Sequence, residues 1–259
     1  MEKLTAVKYS ILILIMTIAA IGCQNRSGER TRSVENNNDS DPSGWIILFS
    51  DGDVSQWRSD QNDLFPRAGW SVEGNELIVN ARQEGDSVRA GNLITRNTYG
   101  NFELHFEWKI LTVGGNSGVK YFVPGENDSY ATYGPGPEYQ LLDDDNHPWM
   151  LEGKMQPNDY HTLGACYELY KADDSKESAP LGEWNSSSIV SKSGTVEHWL
   201  NGKKILEFDR FSDDFATRVA KSKFKEFPEF GRLERGHILL QDHPGEVHFR
   251  NIKIKTTDL

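Results

Sequence analysis

Residues 101–110 read Asn-Phe-Glu-Leu-His-Phe-Glu-Trp-Lys-Ile. Phe102, Leu104, Phe106, Trp108 and Ile110 alternate with Glu103, His105, Glu107 and Lys109. An apolar period of two held over this length marks a strand with one buried face. Shorter stretches of the same kind lie on both sides. Residues 45–49 and 92–95 precede it, and residues 117–123, 138–143 and 189–191 follow. Residues 71–79 contain Glu73-Gly74-Asn75 and read as a hairpin. Residues 195–200 and 204–208 read as a second hairpin, turned by Asn201-Gly202, a pair that accepts the positive φ of a tight turn. Residues 236–241 and 246–255 supply the last strands. Only residues 213–225 read as a helix. Many short strands separated by turn residues predict an all-β fold, an antiparallel sandwich of two sheets, with a jelly roll the expected version at this length.

Composition agrees. The 259 residues include 23 Gly and 10 Pro, which suits a turn-rich β protein. Lys and Arg number 28 against 39 Asp and Glu, a net charge of −11. That balance excludes nucleic acid as the expected partner, because binding phosphates needs a basic field. Two cysteines exclude a disulfide scaffold.

The first residues read as an address. Lys3 and Lys8 precede an apolar run over residues 11–22, too short to span a bilayer comfortably. It reads as a signal-peptide core spanning residues 1–22. The run ends in Ala20-Ile21-Gly22-Cys23, which resembles the lipobox of bacterial lipoproteins. The resemblance implies cleavage before Cys23, lipid on that residue, and membrane contact only through this anchor; the alternative is an ordinary signal peptide with an incidental cysteine. Gln24, rather than Asp, follows the cysteine, so the cell envelope, and within it the outer membrane, is the expected location. With Cys23 lipidated, residues 23–43 form a polar, disordered tether, too poor in apolar side chains to offset the entropy of ordering. The folded domain is residues 44–259. Cys166, between Ala165 and Tyr167, reads as a buried, inert thiol.

Several motifs in order resemble the 3-keto-disaccharide hydrolase domain family. They begin with Gly44-Trp45 and Leu48-Phe49-Ser50-Asp51-Gly52, then Tyr99-Gly100-Asn101-Phe102-Glu103-Leu104 and Gly114-Gly115-Asn116-Ser117-Gly118. Gly136-Pro137-Glu138-Tyr139-Gln140-Leu141-Leu142-Asp143, Gly182-Glu183-Trp184-Asn185 and Val196-Glu197-His198-Trp199-Leu200-Asn201-Gly202 follow. Lys221-Ser222-Lys223-Phe224, Gly236-His237-Ile238, Leu240-Gln241-Asp242-His243 and Phe249-Arg250-Asn251-Ile252 complete the set. The sequence departs from the family pattern at Ser50 and Pro244, both at expected turns. The resemblance implies a concanavalin A-like jelly roll and cleavage of glycosides whose sugar carries a ketone at carbon 3, with carbohydrate as the partner.

Candidate site residues follow from the strands. On a strand, Glu138 and Gln140 share a face roughly 7 Å apart, a spacing that lets a carboxylate and an amide grip one sugar ring. The alternative is an exposed charge on an edge strand. Trp184, between Glu183 and Asn185, offers a flat apolar face with polar neighbours; the alternative is a core Trp beside a surface Glu. His198 shares a face with Val196 and Leu200, a pattern that more often marks a satisfied structural histidine than a ligand contact. Gln241, Asp242 and His243 stand at a strand end, where sites collect, although an Asp there also caps turns. Asn116 reaches the groove from its rim. Lys223 places a cation beside a developing oxyanion, or is a solvated helix charge.

A ketone at carbon 3 acidifies the hydrogen on carbon 2. Elimination of the glycosidic oxygen followed by hydration then needs a base, an acid and a stabilised enolate. Glu138 or His243 is the expected base and Glu183 the expected acid. Asn116, Gln140, Trp184, Asn185, His198, Lys223, Gln241 and Asp242 are the expected substrate contacts. The alternatives are an ordinary two-carboxylate glycoside hydrolase and a lectin-like binding module without catalysis. No metal ligand set is recognised. The acidic run Asp143-Asp144-Asp145 reads as a solvated loop ahead of a calcium site, and a divalent cation is the alternative to Lys223 as oxyanion stabiliser.

Overall fold

A computed structural model describes residues 43–81, 91–125, 135–227 and 229–257. Cys23 and nearly all of the tether lie outside these residues. The strands in chain order are β1 (Ile46–Phe49), β2 (Trp57–Ser59), β3 (Trp70–Glu73), β4 (Glu76–Val79), β5 (Leu93–Thr95), β6 (Phe102–Ile110) and β7 (Asn116–Val123). After them come β8 (Glu138–Leu142), β9 (Asn185–Lys192), β10 (Thr195–Leu200), β11 (Lys203–Asp209), β12 (His237–Leu240) and β13 (Val247–Thr256). They form two antiparallel sheets. The larger runs β11-β10-β9-β6-β13-β4-β3, with β1 paired to β13; the smaller runs β2-β5-β12-β7-β8. This is the concanavalin A-like jelly-roll sandwich.

β6 shows why the sheets stack. Phe102, Leu104, Phe106, Trp108 and Ile110 are buried, while the residues between them are partly exposed. Phe102 meets Tyr121 and Phe122 of β7 at 6.4 and 5.7 Å, and Phe106 meets Tyr139 of β8 at 5.8 Å, all across the sandwich. These contacts fix which face of β7 and β8 looks inward, and so which residues look out. Phe122 sits at φ 54, and the β7–β12 register shifts there. The resulting bulge lets Tyr121 and Phe122 both bury, although they are consecutive.

The Asn201-Gly202 hairpin forms as expected, with φ of 48° and 82°, and Leu200 pairs with Lys203. β9 is longer than its three apolar-patterned residues suggested, because Ser187 and Ser191 turn inward and are buried. β2 carries no sequence alternation of its own. It forms because Trp57 is fully buried and donates from Nε1 to the Leu48 carbonyl at 2.8 Å. The helix α1 (Asp213–Lys221) stops short of residue 225. Ser212 caps its start by accepting from the Phe215 N–H, with Asp213 and Asp214 in the first turn and Arg218 and Lys221 in the last. Among the described residues no helix is long and apolar enough to cross a membrane.

Candidate active site

Glu138 opens β8 and its side chain lies on the outer face of the smaller sheet. Its neighbour Tyr139 points inward, 4.6 Å from the ring of His198. Alternation therefore sets Glu138 and Gln140 on the outside together. On β7, Lys120 pairs with Glu138, Gly118 with Gln140 and Asn116 with Leu142, so Asn116, Gly118 and Lys120 share that outer face. Gln140 donates from Nε2 to Oδ1 of Asn116 at 3.3 Å.

β8 is not an open edge. Residues 164–167 run beside it: the Gln140 N–H donates to the Ala165 carbonyl, the Gly164 N–H to the Gln140 carbonyl and the Tyr167 N–H to the Glu138 carbonyl. This cover explains why all of β8 is buried. A carboxylate on an exposed edge strand is the reading this arrangement overturns.

The Glu138 carboxyl lies across Gly118. A Cβ built on Gly118 would collide with Oε1 of Glu138, so the glycine clears the carboxyl's position. Nζ of Lys120 stands 3.6 Å from Oε2, and both side chains are nearly inaccessible. Burial raises the pKa of Glu138, against the pull of the Lys120 and Lys223 charges.

Lys223 follows α1, whose C-cap is Ser222. Phe224 anchors the segment by stacking on Phe230 at 4.3 Å. The Lys223 ammonium lies over the Tyr167 ring at 4.2 Å and 3.7 Å from Glu168. Burial lowers its pKa, and Glu168 and then Glu138 oppose that. Behind it, His161 stands 3.4 Å from Glu168 and 2.6 Å from Asp159. The hydrogen bond to Glu168, then that to Asp159, raises the His161 pKa, and His161 in turn holds that of Glu168 down. Acidic and basic side chains thus alternate from Asp159 through His161, Glu168 and Lys223 to Glu138 and Lys120.

The far end of the face comes from β12 and the loops beside it. The Gln241 N–H donates to the Gly118 carbonyl at 2.9 Å. Among the described residues, Oε1 of Gln241 is buried without a hydrogen-bond partner. An unmatched buried acceptor suits a substrate hydroxyl. The Asp242 N–H donates to Oδ1 of Asn92, and the amide of Asn92 donates to Asp60. Burial raises the Asp60 pKa, and Lys120 acts weakly against it. His243 is half-buried, with Nδ1 3.3 Å from the Pro244 carbonyl, in the turn that passes Asn116.

Glu138, Gln140, Asn116 and Gln241 therefore share one face, the Lys223 charge acts on it, and the turn that carries Asp242 and His243 borders it. Three expected contacts and the expected acid do not lie there. Trp184 packs on the outer face of the opposite sheet, under Lys109 at 4.5 Å and Arg250 at 3.9 Å from its ring. Its apolar surface serves those cations. Glu183 lines a cavity of about 230 Å³ with Asp143, Asp144, Asp145 and Lys176, and neither Glu138 nor Lys223 reaches it. Asn185 is buried, and its Oδ1 accepts from the Ala179 N–H and from Asn201. His198 lies in the sandwich interior: Nδ1–H donates to the Gly164 carbonyl and Nε2 accepts from the Tyr121 hydroxyl. Burial pushes its pKa down to about 4. The sandwich therefore separates Trp184 from Glu138 and Gln140.

Lys120, Asp60, His161 and Glu168 were not singled out in the sequence. Lys120 carried a signal, as a lysine within the otherwise apolar run Val119-Lys120-Tyr121-Phe122-Val123. The other three stand in irregular segments that leave no periodic mark. Cys166 is buried and its thiol is pushed up to about 12, as suits a packing residue. In the acidic loop, Asp143 accepts from the Gly114 N–H, and Asp144 accepts from the Leu163 N–H and pairs with Lys176 at 2.9 Å. No group of three or more His, Cys, Asp or Glu among the described residues is arranged to hold a metal ion.

A buried carboxyl with a raised pKa is suited to take and return a proton, and the charges of Lys120 and Lys223 suit the stabilisation of an oxyanion formed near it. Known proteins resemble this chain in sequence. A 3-keto-disaccharide hydrolase of Bacteroides thetaiotaomicron is 31% identical over 241 residues, covering 84% of this chain and 80% of the relative. A crystal structure from Parabacteroides distasonis, provisionally assigned as a glycosyl hydrolase, is 36% identical, with a TM-score of 0.72 over 83% of this chain and 95% of that one. A second structure from the same species, with the same provisional assignment, is 25% identical, with a TM-score of 0.59 over 82% of this chain and 98% of that one. Residues 44–255 match the profile of the 3-keto-alpha-glucoside-1,2-lyase-like domain, and the chain belongs to that family.

Proposed function

We propose that the protein is a glycosidase-type enzyme that cleaves 3-keto glycosides by elimination and hydration, with Glu138 moving the proton. The family and the 3-keto-disaccharide hydrolase relative support the reaction class. One observation carries the residue assignment: the Glu138 carboxyl, its pKa raised by burial, lies over Gly118, 3.6 Å from Lys120 and within the field of the Lys223 charge.

The Glu138 carboxylate takes the proton from carbon 2 of the oxidised ring. The electron pair of that C–H bond forms an enolate whose oxygen, at carbon 3, faces the ammonium groups. Collapse of the enolate makes the C1–C2 double bond and breaks the bond from carbon 1 to the glycosidic oxygen. That oxygen takes the proton from Glu138, giving an enone and a free alcohol. Water then adds to carbon 1, loses its proton to the regenerated carboxylate, and carbon 2 is reprotonated. The sum is one glycoside and one water giving two products. One carboxyl serves as both base and acid, since Glu183 stands elsewhere. Gln140, Asn116 and Gln241 hold ring hydroxyls.

The test is turnover of 3-keto-trehalose and of trehalose in deuterated water. The proposal requires cleavage of the oxidised sugar alone and deuterium at carbon 2 of the product. It also requires a loss of roughly 10²–10⁴-fold in Glu138→Gln. Equal cleavage of the parent sugar indicates ordinary hydrolysis, and binding without turnover indicates a lectin-like module. Residues 20–23 support a lipid anchor on Cys23 that holds this activity at the cell envelope. Radiolabelled fatty acid should enter the wild-type protein and not Cys23→Ser.

A further inference from the structure

We propose that Trp149 forms the binding platform for the second sugar of a disaccharide substrate, the one that leaves as the aglycone. This inference rests on the reading of the Glu138 face as a glycoside site. Trp149 is 48% exposed, in the helical turn Pro148–Leu151 that follows β8. Exposure of so large an apolar ring is notable when Trp184, the other candidate, is covered by two cations.

The Trp149 ring is not loose. Its backbone N–H donates to Nδ1 of His147, and its ring meets His147 at 5.7 Å and 86° and His161 at 6.2 Å and 84°. Both contacts are edge-to-face, which fixes the plane of the indole. His161 meets Tyr167 at 5.0 Å, and Tyr167 carries the Lys223 ammonium. Tyr167 also pairs through its backbone with Glu138. A wall of rings thus leads from Glu138 and Lys223 outward to Trp149. The oxidised pyranose occupies the charged inner end. A second pyranose, joined through the glycosidic oxygen, reaches the indole and lays its C–H face on it. A half-exposed aromatic ring held by edge-to-face contacts at the outer end of this wall suits that contact, because little side-chain freedom is lost on binding.

The test uses two ligands that differ only in the leaving group: 3-keto-trehalose and methyl 3-keto-α-glucoside. KM is measured for the wild type, Trp149→Ala and Trp149→Phe, and affinities by calorimetry in the same proteins carrying Glu138→Gln. Trp149→Ala should weaken the disaccharide by about tenfold and leave the methyl glycoside unchanged, with Trp149→Phe recovering most of the loss. Equal effects on both ligands, no effect on either, or no binding of the disaccharide by any form overturns the proposal. Selective loss of disaccharide binding without turnover in the wild type upholds the platform while defeating the elimination reading.

Discussion

The carboxyl of Glu138 occupies the space that a Cβ on Gly118 would fill. The two residues sit on neighbouring strands, and the missing side chain on β7 allows the buried carboxyl on β8 to lie flat against the sheet beside Lys120. Gly118→Ala should therefore act on catalysis more than on folding. The added methyl displaces the carboxyl, and a shift of about 1 Å at a reacting group costs on the order of 10²-fold in rate. Overpacking costs about 1–3 kcal/mol of stability. A kcat/KM measurement on a 3-keto glycoside, with a denaturant melt, checks both. Unchanged turnover would mean that Glu138 need not hold this position.

Glu168 should set the alkaline edge of activity through Lys223. Burial lowers the Lys223 pKa and Glu168 is the first group opposing it. Glu168→Gln removes that support, so the ammonium loses its proton at lower pH. The alkaline limb of the kcat/KM profile should move toward neutrality, with little change at pH 6. His161→Gln, which frees Glu168 from its hydrogen bond, should leave the limb close to the wild-type position. A limb that stays in place in Glu168→Gln would show that Lys223 does not act as a cation in turnover.

Trp184→Ala and Glu183→Gln should both leave turnover unchanged. Trp184 stacks under Lys109 and Arg250 on the far sheet, and its removal should cost about 1 kcal/mol of stability from lost cation–π contact. Thermal melts and steady-state rates on the same preparations separate the two effects. A hundredfold rate loss in Glu183→Gln would restore the two-carboxylate mechanism and would require a different shape of the site.

The strand pattern and the site were not equally legible in the sequence. Alternation in residues 102–110 exposed the sandwich because burial on one face imposes a period of two. The same logic put Glu138 beside Gln140. It fails for facing, because a strand's period does not say which sheet it joins or which side its polar residues take. Trp184 and Glu138 are both flanked by turn residues and polar neighbours, yet they end on opposite sides of the molecule. His161, Glu168 and Trp149 lie in segments ordered by turns and local hydrogen bonds, such as Asp159 accepting from the His161 N–H at 3.2 Å. The links that join them to Lys223, through Glu168 and Tyr167, are a tertiary fact with no local trace.

His198 should make the fold sensitive to acid. Its pKa falls from 6.5 to about 4 because the ring is buried between the Gly164 carbonyl and Tyr121. An unfolded chain takes up a proton there as the pH drops below about 6.5, whereas the folded chain stays neutral until about 4. The unfolded state therefore binds more protons across that window. Stability is full above it and declines as the pH falls through it, by on the order of 3 kcal/mol. His161 has the opposite sign, since its raised pKa favours the folded state at low pH and loses that contribution as the pH rises through the folded value. The difference between wild type and His198→Gln isolates the first effect. Urea melts at pH 7 and pH 4.5 should show the variant less stable at pH 7 and losing less on acidification. Parallel losses in the two proteins would place the acid sensitivity in other groups.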